Sequence, residues 1–217
     1  MSPMKRNTPL LLFAFLVSGG SFFLLRASMK DHDSAPIPSI GPGEQVATLA
    51  GGCFWCLDSV FRTMDGVKAV TTGYTGGNDS NPTYEQVCDG DTGHAEVVQI
   101  VFDPTKISYA KLLDIFWTIH DPTSLNRQGN DVGTQYRSAV FYHNDEQRMI
   151  AEKSKAEVQG QYRSPIVTEI VPLKKFWPAE IYHQDYFRKN PSNAYCRFTI
   201  PPKISKVQHK FSEQLAK

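Results

Sequence analysis

The chain has 217 residues, with 23 Lys and Arg against 22 Asp and Glu and a formal net charge of +1. That balance excludes the basic face of a nucleic-acid binder, and no long run of one sign marks a charged tail. Hydrophobic residues make up 41% and aromatics 12%, enough for one well-buried domain plus tails.

In chain order, Lys5 and Arg6 precede an uncharged stretch over 8–25 built mostly of Leu and Phe, and Arg26 closes it. This pattern predicts an export signal or membrane anchor over 1–30, at the lower edge of the length that spans a bilayer. An exported or membrane-anchored protein is therefore expected, with membrane contact through residues 8–25. Residues 31–43, rich in Pro, Gly and Ser, read as a linker. Residues 44–217 read as the folded domain.

Within that domain, 45–50 reads as a strand and 53–64 as a helix with Phe54, Leu57, Val60, Phe61 and Met64 on one face. Residues 67–74 form a β-branched strand, 75–94 a polar loop, and 95–102 a strong strand. Ser108 caps a helix over 109–119. A long polar loop covers 121–134, a strand 138–142, and Asn144 caps a helix reaching about residue 159. A strand follows over 167–173. The last stretch reads as irregular and then helical, with Ile204, Val207, Phe211 and Leu215 on one face. The order β-α-β-β-α-β over 45–142 is the split βαβ, or ferredoxin-like, order. The expected fold is an α+β two-layer sandwich with a mixed sheet and an irregular C-terminal segment.

The segment richest in chemistry is Gly51-Gly52-Cys53-Phe54-Trp55-Cys56. It puts Cys53 at a strand-to-helix junction, where free backbone N–H groups and the helix dipole favour an anion. A thiol there is expected to ionise more readily than a free one. The preceding glycines permit a tight turn and close approach to the backbone.

Several further stretches are notable in order and spacing: Gly73-Tyr74-Thr75-Gly76-Gly77, Tyr84-Glu85-Gln86-Val87-Cys88, Gly93-His94-Ala95-Glu96-Val97, 131–138 from Asp131 to Ser138, His183-Gln184-Asp185-Tyr186 and Asn193-Ala194-Tyr195-Cys196. With Gly-Cys-Phe-Trp at 52–55, they resemble the peptide-methionine (S)-S-oxide reductases of the MsrA type over about residues 45–200. The resemblance implies reduction of methionine S-sulfoxide, free or in oxidised proteins. Cys53 would become a sulfenic acid, Cys196 would close a Cys53–Cys196 disulfide, and a thioredoxin-like reductant would recycle it. Neither cofactor nor metal is implied, and a monomer is expected. Phe54 and Trp55 match positions that enclose the substrate methyl group, and Asp131 matches a substrate-site residue.

Individual residues support that chemistry. A sulfoxide oxygen leaves poorly unless protonated, so an acid is needed. Glu96 stands in an otherwise apolar strand, on the face shared by Val98 and Ile100. Its carboxyl group is therefore expected to stay protonated and to act as the acid. Tyr84 and Tyr136 can donate hydrogen bonds to the oxygen as charge develops. His94 reads as structural and Cys88 as a packing residue. Two departures stand out: the tail 197–202 holds no further cysteine, and Cys56 occupies a position where many relatives have glycine. Cys56 reads as an auxiliary thiol that a regular helix would hold too far from Cys53 for a first disulfide. Two other readings remain open here: a dithiol oxidoreductase using Cys53 and Cys56 as a Cys-x-x-Cys pair, and a sensor using four cysteines for metal or redox chemistry.

Overall fold

The computed structural model describes residues 33–216. The signal or anchor expected over 1–30 lies outside the described residues. Among the described residues, no helix is long and apolar enough to cross a membrane.

The elements follow in order: β1 (Gln45–Gly51), α1 (Phe54–Phe61), β2 (Val67–Thr75), α2 (Tyr84–Asp89), β3 (Ala95–Phe102), α3 (Tyr109–Ile119), β4 (Arg127–Gln128), β5 (Asp131–Val132), β6 (Ser138–Tyr142), α4 (Asp145–Val158), β7 (Glu169–Pro172), β8 (Trp177–Pro178), α5 (Tyr186–Lys189) and α6 (Ala194–Lys210). Six strands form one sheet in the order β7-β6-β1-β3-β2-β8, and β4 with β5 forms a small separate pair. Strand β3 runs antiparallel to β1 and β2, β1 antiparallel to β6, and β6 parallel to β7. The mixed α+β architecture is thus as the sequence suggests.

Burial on both sides explains why β3 reads as a near-continuous apolar run. On one face Leu49, Val98, Ile100 and Val140 pack with Phe54, Leu57 and Phe61 of α1, Leu112 and Phe116 of α3, and Ile200 and Val207 of α6. On the other, Ala50, Val97, Ala139 and Phe141 are covered by Phe176. Cap residues stop the helices where expected. The Ser108 hydroxyl accepts from Lys111 N–H, and the Asn144 side chain from Gln147 N–H.

Four differences from the sequence reading bear on the site. Helix α1 begins at Phe54, with Cys53 as its N-cap in an extended conformation (φ −56°, ψ 124°). The first long loop contains α2, closed by a reciprocal capping box between Thr83 and Gln86. The second contains the β4–β5 pair. The C-terminal segment is not irregular around Cys196: α6 runs unbroken through Pro201 and Pro202. Residues 33–35, at the start of the linker, are held against the domain. Ala35 N–H donates to Ala179 O at 3.0 Å and Ile181 N–H to Asp33 O at 2.9 Å.

Candidate active site

Strand β1 ends at Gly51, and Gly52 turns the chain with φ +90°, a conformation that suits glycine. A Cβ on Gly52 would lie 2.6 Å from Gln128 Cβ, so the 121–134 loop closes directly over this turn. The turn delivers Cys53 to the start of α1 with 8% of its surface exposed.

The first free amide of α1, Phe54 N–H, donates to Glu96 Oε2 at 2.9 Å. Glu96 reaches it from β3, which lies beside β1, and its side chain faces the helix layer as the alternation predicts. It is 1% exposed. Burial pushes its carboxyl up to about 8, the Phe54 N–H opposing and the Asp131 charge assisting. Glu96 is therefore mainly neutral at pH 7, the state a proton donor requires.

The expectation of an easily ionised Cys53 is overturned. Burial, contact with the Cys56 thiol and the nearby Glu96 carboxyl push Cys53 well up, and the Trp55 N–H opposes them only in part. A helix N-terminus lowers a thiol that water can reach; here removal from water dominates. Cys56 moves the other way, down to about 7, through its interaction with Cys53, with Lys203 and Tyr195 helping against burial.

Aromatic rings surround this point. Phe54 is fully buried, with ring centroids 5.1 Å from His183, 5.9 Å from Tyr74 and 6.4 Å from Tyr84. It has no free surface, so it backs the site rather than lining it. Trp55 is half-buried, stacks on Tyr186 at 3.9 Å and donates from Nε1 to His183 Nδ1 at 3.2 Å. Tyr84 and Tyr136 are half-buried beside Glu96, and burial with the Glu96 charge raises both hydroxyls. Both remain neutral donors. Asp131 accepts a 2.7 Å hydrogen bond from Tyr195 OH. Cys53, Cys56, Gln128, Asp131, Tyr195 and Lys203 line part of one cavity of about 410 Å³.

Cys196 is not among the residues lining that cavity. It is fully buried in the first turn of α6, where its backbone N–H is capped by Asn193 at 3.3 Å. The expectation of an irregular segment around Cys196 is corrected accordingly. Cys88 is half-buried in α2, and burial raises its thiol. His94 is structural: Nδ1 accepts from Gly77 N–H at 3.2 Å while Nε2 donates to Asp79 O at 2.8 Å, which ties the first loop to β3. Among the described residues, no group of three or more His, Cys, Asp or Glu is placed to hold a metal ion.

Sequence reasoning assigned no role to Glu180 or His183. Glu180 accepts from Tyr74 OH and from Tyr84 N–H, both at 2.9 Å, and so fixes the start of α2. His183 lies beneath Phe54, Trp55 and Tyr84, and burial lowers it to about 4, so it stays neutral. His183 stood in a stretch singled out by its spacing; nothing in the sequence marked Glu180.

A family model described as peptide methionine sulfoxide reductase matches residues 45–215. A peptide methionine sulfoxide reductase MsrA from Haloquadratum walsbyi is 56% identical over 171 residues, covering 79% of this chain and 98% of that protein. The structure of Mxr1 from Saccharomyces cerevisiae in reduced form aligns with a TM-score of 0.70 and 40% identity, over 73% of this chain and 92% of that one. Mxr1 in complex with Trx2 aligns with a TM-score of 0.50 and 29% identity, over 69% and 89%.

Proposed function

Since the chain belongs to the peptide methionine sulfoxide reductase family, we propose that it reduces the S epimer of methionine sulfoxide, free or in oxidised proteins, with Cys53 as nucleophile and Glu96 as acid. The observation that carries this reading is the meeting of Cys53 and a neutral, buried carboxyl group at one helix N-terminus. The Cys53 thiol gives up its proton as its sulfur attacks the sulfoxide sulfur, and that proton replaces the one Glu96 donates. Glu96 protonates the oxygen, and the neutral Tyr84 and Tyr136 hydroxyls donate hydrogen bonds to it as charge develops. Oxygen passes to Cys53, leaving a sulfenic acid and free methionine. Trp55 offers an apolar wall for the methyl group, and Asp131 shapes the cavity through Tyr195.

An intramolecular disulfide then forms and a thioredoxin-like dithiol reduces it; the complex of the related Mxr1 with Trx2 supports this step. Two thiols pack into the same core as Cys53, namely Cys56 and Cys196. The Cys53–Cys196 bridge implied by resemblance would tie the start of α1 to the first turn of α6. The strand order β6-β1-β3-β2, with β3 antiparallel to both neighbours, supports a split βαβ reading of the central sheet. The charges before the 8–25 stretch support work on the outer side of a membrane.

The test is turnover of the two epimers supplied separately with a dithiol donor. Only the S epimer should be consumed, and Cys53→Ser should release no methionine. Equal use of both epimers, or turnover by Cys53→Ser, refutes the proposal.

A further inference from the structure

The spacing of Cys53 and Cys56 looks unfavourable for a disulfide only if both belong to the helix. They do not. Cys53 is the N-cap, extended, and Cys56 is the third residue of α1. These are the N-cap and N3 positions, which a capping box links through reciprocal side-chain-to-backbone hydrogen bonds. Cys53 and Cys56 also share a cavity from whose lining Cys196 is absent.

The surroundings of Cys56 fit a thiol that must react. Its Sγ lies 3.6 Å from Tyr195 OH, and Tyr195 OH donates to Asp131 Oδ2 at 2.7 Å. A proton leaving Cys56 therefore has a relay through Tyr195 to a carboxylate at the cavity wall. Lys203, with its ammonium on Ile119 O at 2.8 Å, stands at the same cavity and favours a negative sulfur. Cys196, like Cys56, is buried as the third residue of its helix, but it is absent from the cavity lining, and burial together with the Cys56 charge raises its thiol.

We infer that Cys56 is the thiol that resolves the Cys53 sulfenic acid, closing a Cys53–Cys56 disulfide at the start of α1 before Cys196 takes part. The inference rests on the reading of Cys53 as the nucleophile. Cys56 sulfur attacks Cys53 sulfur. The S–O bond breaks as the S–S bond forms, and the departing hydroxide combines with the proton released by Cys56 to give water. Cys53 sulfur is reduced and Cys56 sulfur oxidised by equal amounts. A thioredoxin-like dithiol then returns both to thiols.

One equivalent of N-acetyl-methionine S-sulfoxide, added to the reduced full chain and quenched with N-ethylmaleimide within seconds, tests this. Trypsin leaves Cys53 and Cys56 together in peptide 31–62 and Cys196 in peptide 190–197. Wild type and Cys196→Ser should both yield peptide 31–62 unalkylated and lighter by two hydrogens. Cys56→Ser should still release one equivalent of methionine, which shows it is folded. Its Cys53 should remain trappable by dimedone at least tenfold longer than in wild type. A cross-link between peptides 31–62 and 190–197 as the first product would overturn the inference. Loss of the dimedone adduct in Cys56→Ser at the wild-type rate would do the same. Failure of wild type to release methionine would remove the Cys53 reading beneath it, a distinct result.

Discussion

Replacing Glu96 with Gln keeps the side-chain shape, and its amide oxygen can still accept from Phe54 N–H. What it removes is the proton. With the carboxyl group near 8, wild type holds it protonated about ten to one at pH 7, so the chemical step should slow by on the order of 10² to 10⁴ in the variant. The same substitution has a consequence for stability with a definite sign. The folded-state value lies above the ordinary 4.5. The native chain therefore keeps a proton that the unfolded chain has lost. Wild-type stability from this group is fully present below about pH 4.5 and drains away as pH rises toward 8, by roughly 5 kcal/mol in total. Gln does not titrate. Glu96→Gln should thus gain on wild type steadily from pH 4.5 to 8. Urea unfolding across that range reads the gap, and single-turnover release of methionine reads the rate. A rate within a few-fold of wild type would refute the acid assignment. A stability gap that does not change with pH would refute the buried, neutral carboxyl.

Tyr136→Phe should lower the single-turnover rate by roughly 10- to 1000-fold if its hydroxyl meets the developing charge; substrate affinity should change far less. Tyr195→Phe removes a hydrogen bond that lowers the Cys56 thiol, so alkylation of Cys56 in a Cys53→Ser background should shift to higher pH, and an unchanged profile would count against the relay. Phe54→Ala empties a fully buried ring site and should cost about 3–5 kcal/mol in urea unfolding. A topology reporter fused after Lys217 should report an exported C-terminus, and a cytoplasmic signal would reject the localisation proposal.

Local signals were the legible ones. Ser108 and Asn144 each precede a helix-forming run, and both prove to be caps. Glu96 was conspicuous because it is the one charge in a run of apolar strand residues, and its buried role follows from alternation. Helix α2 was hidden because its capping box, Thr83 with Gln86, sits among the Gly, Asn and Asp residues of a loop. Helix α6 was masked by Pro201-Pro202, a pair that ordinarily ends a helix. Packing against α1 and α3, together with Lys203 and Lys210 reaching Ile119 O and Thr118 Oγ1, outweighs that local preference. Glu180 acts through Tyr74 and Tyr84, 106 and 96 residues away, a separation over which spacing carries no signal. The assignment of Cys53 to the helix was off by a single position, yet that position decides whether Cys56 can reach it.

The strip at 33–35 places the practical boundary of the domain earlier than its first long strand. Ser34 bridges Glu180, the same residue whose carboxylate orders Tyr74 and the amide of Tyr84. A shortened protein beginning at Glu44 would lose Asp33 O and Ala35 N–H and leave Ile181 N–H and Ala179 O to water. The loosening would be felt first at the Tyr84 edge of the catalytic cleft, while the sheet itself stayed intact. A protein trimmed to begin at Asp33 would keep that brace. Comparing the two, by hydrogen exchange at Tyr84 and Ile181, would show how far a three-residue selvedge governs the rigidity of the cleft.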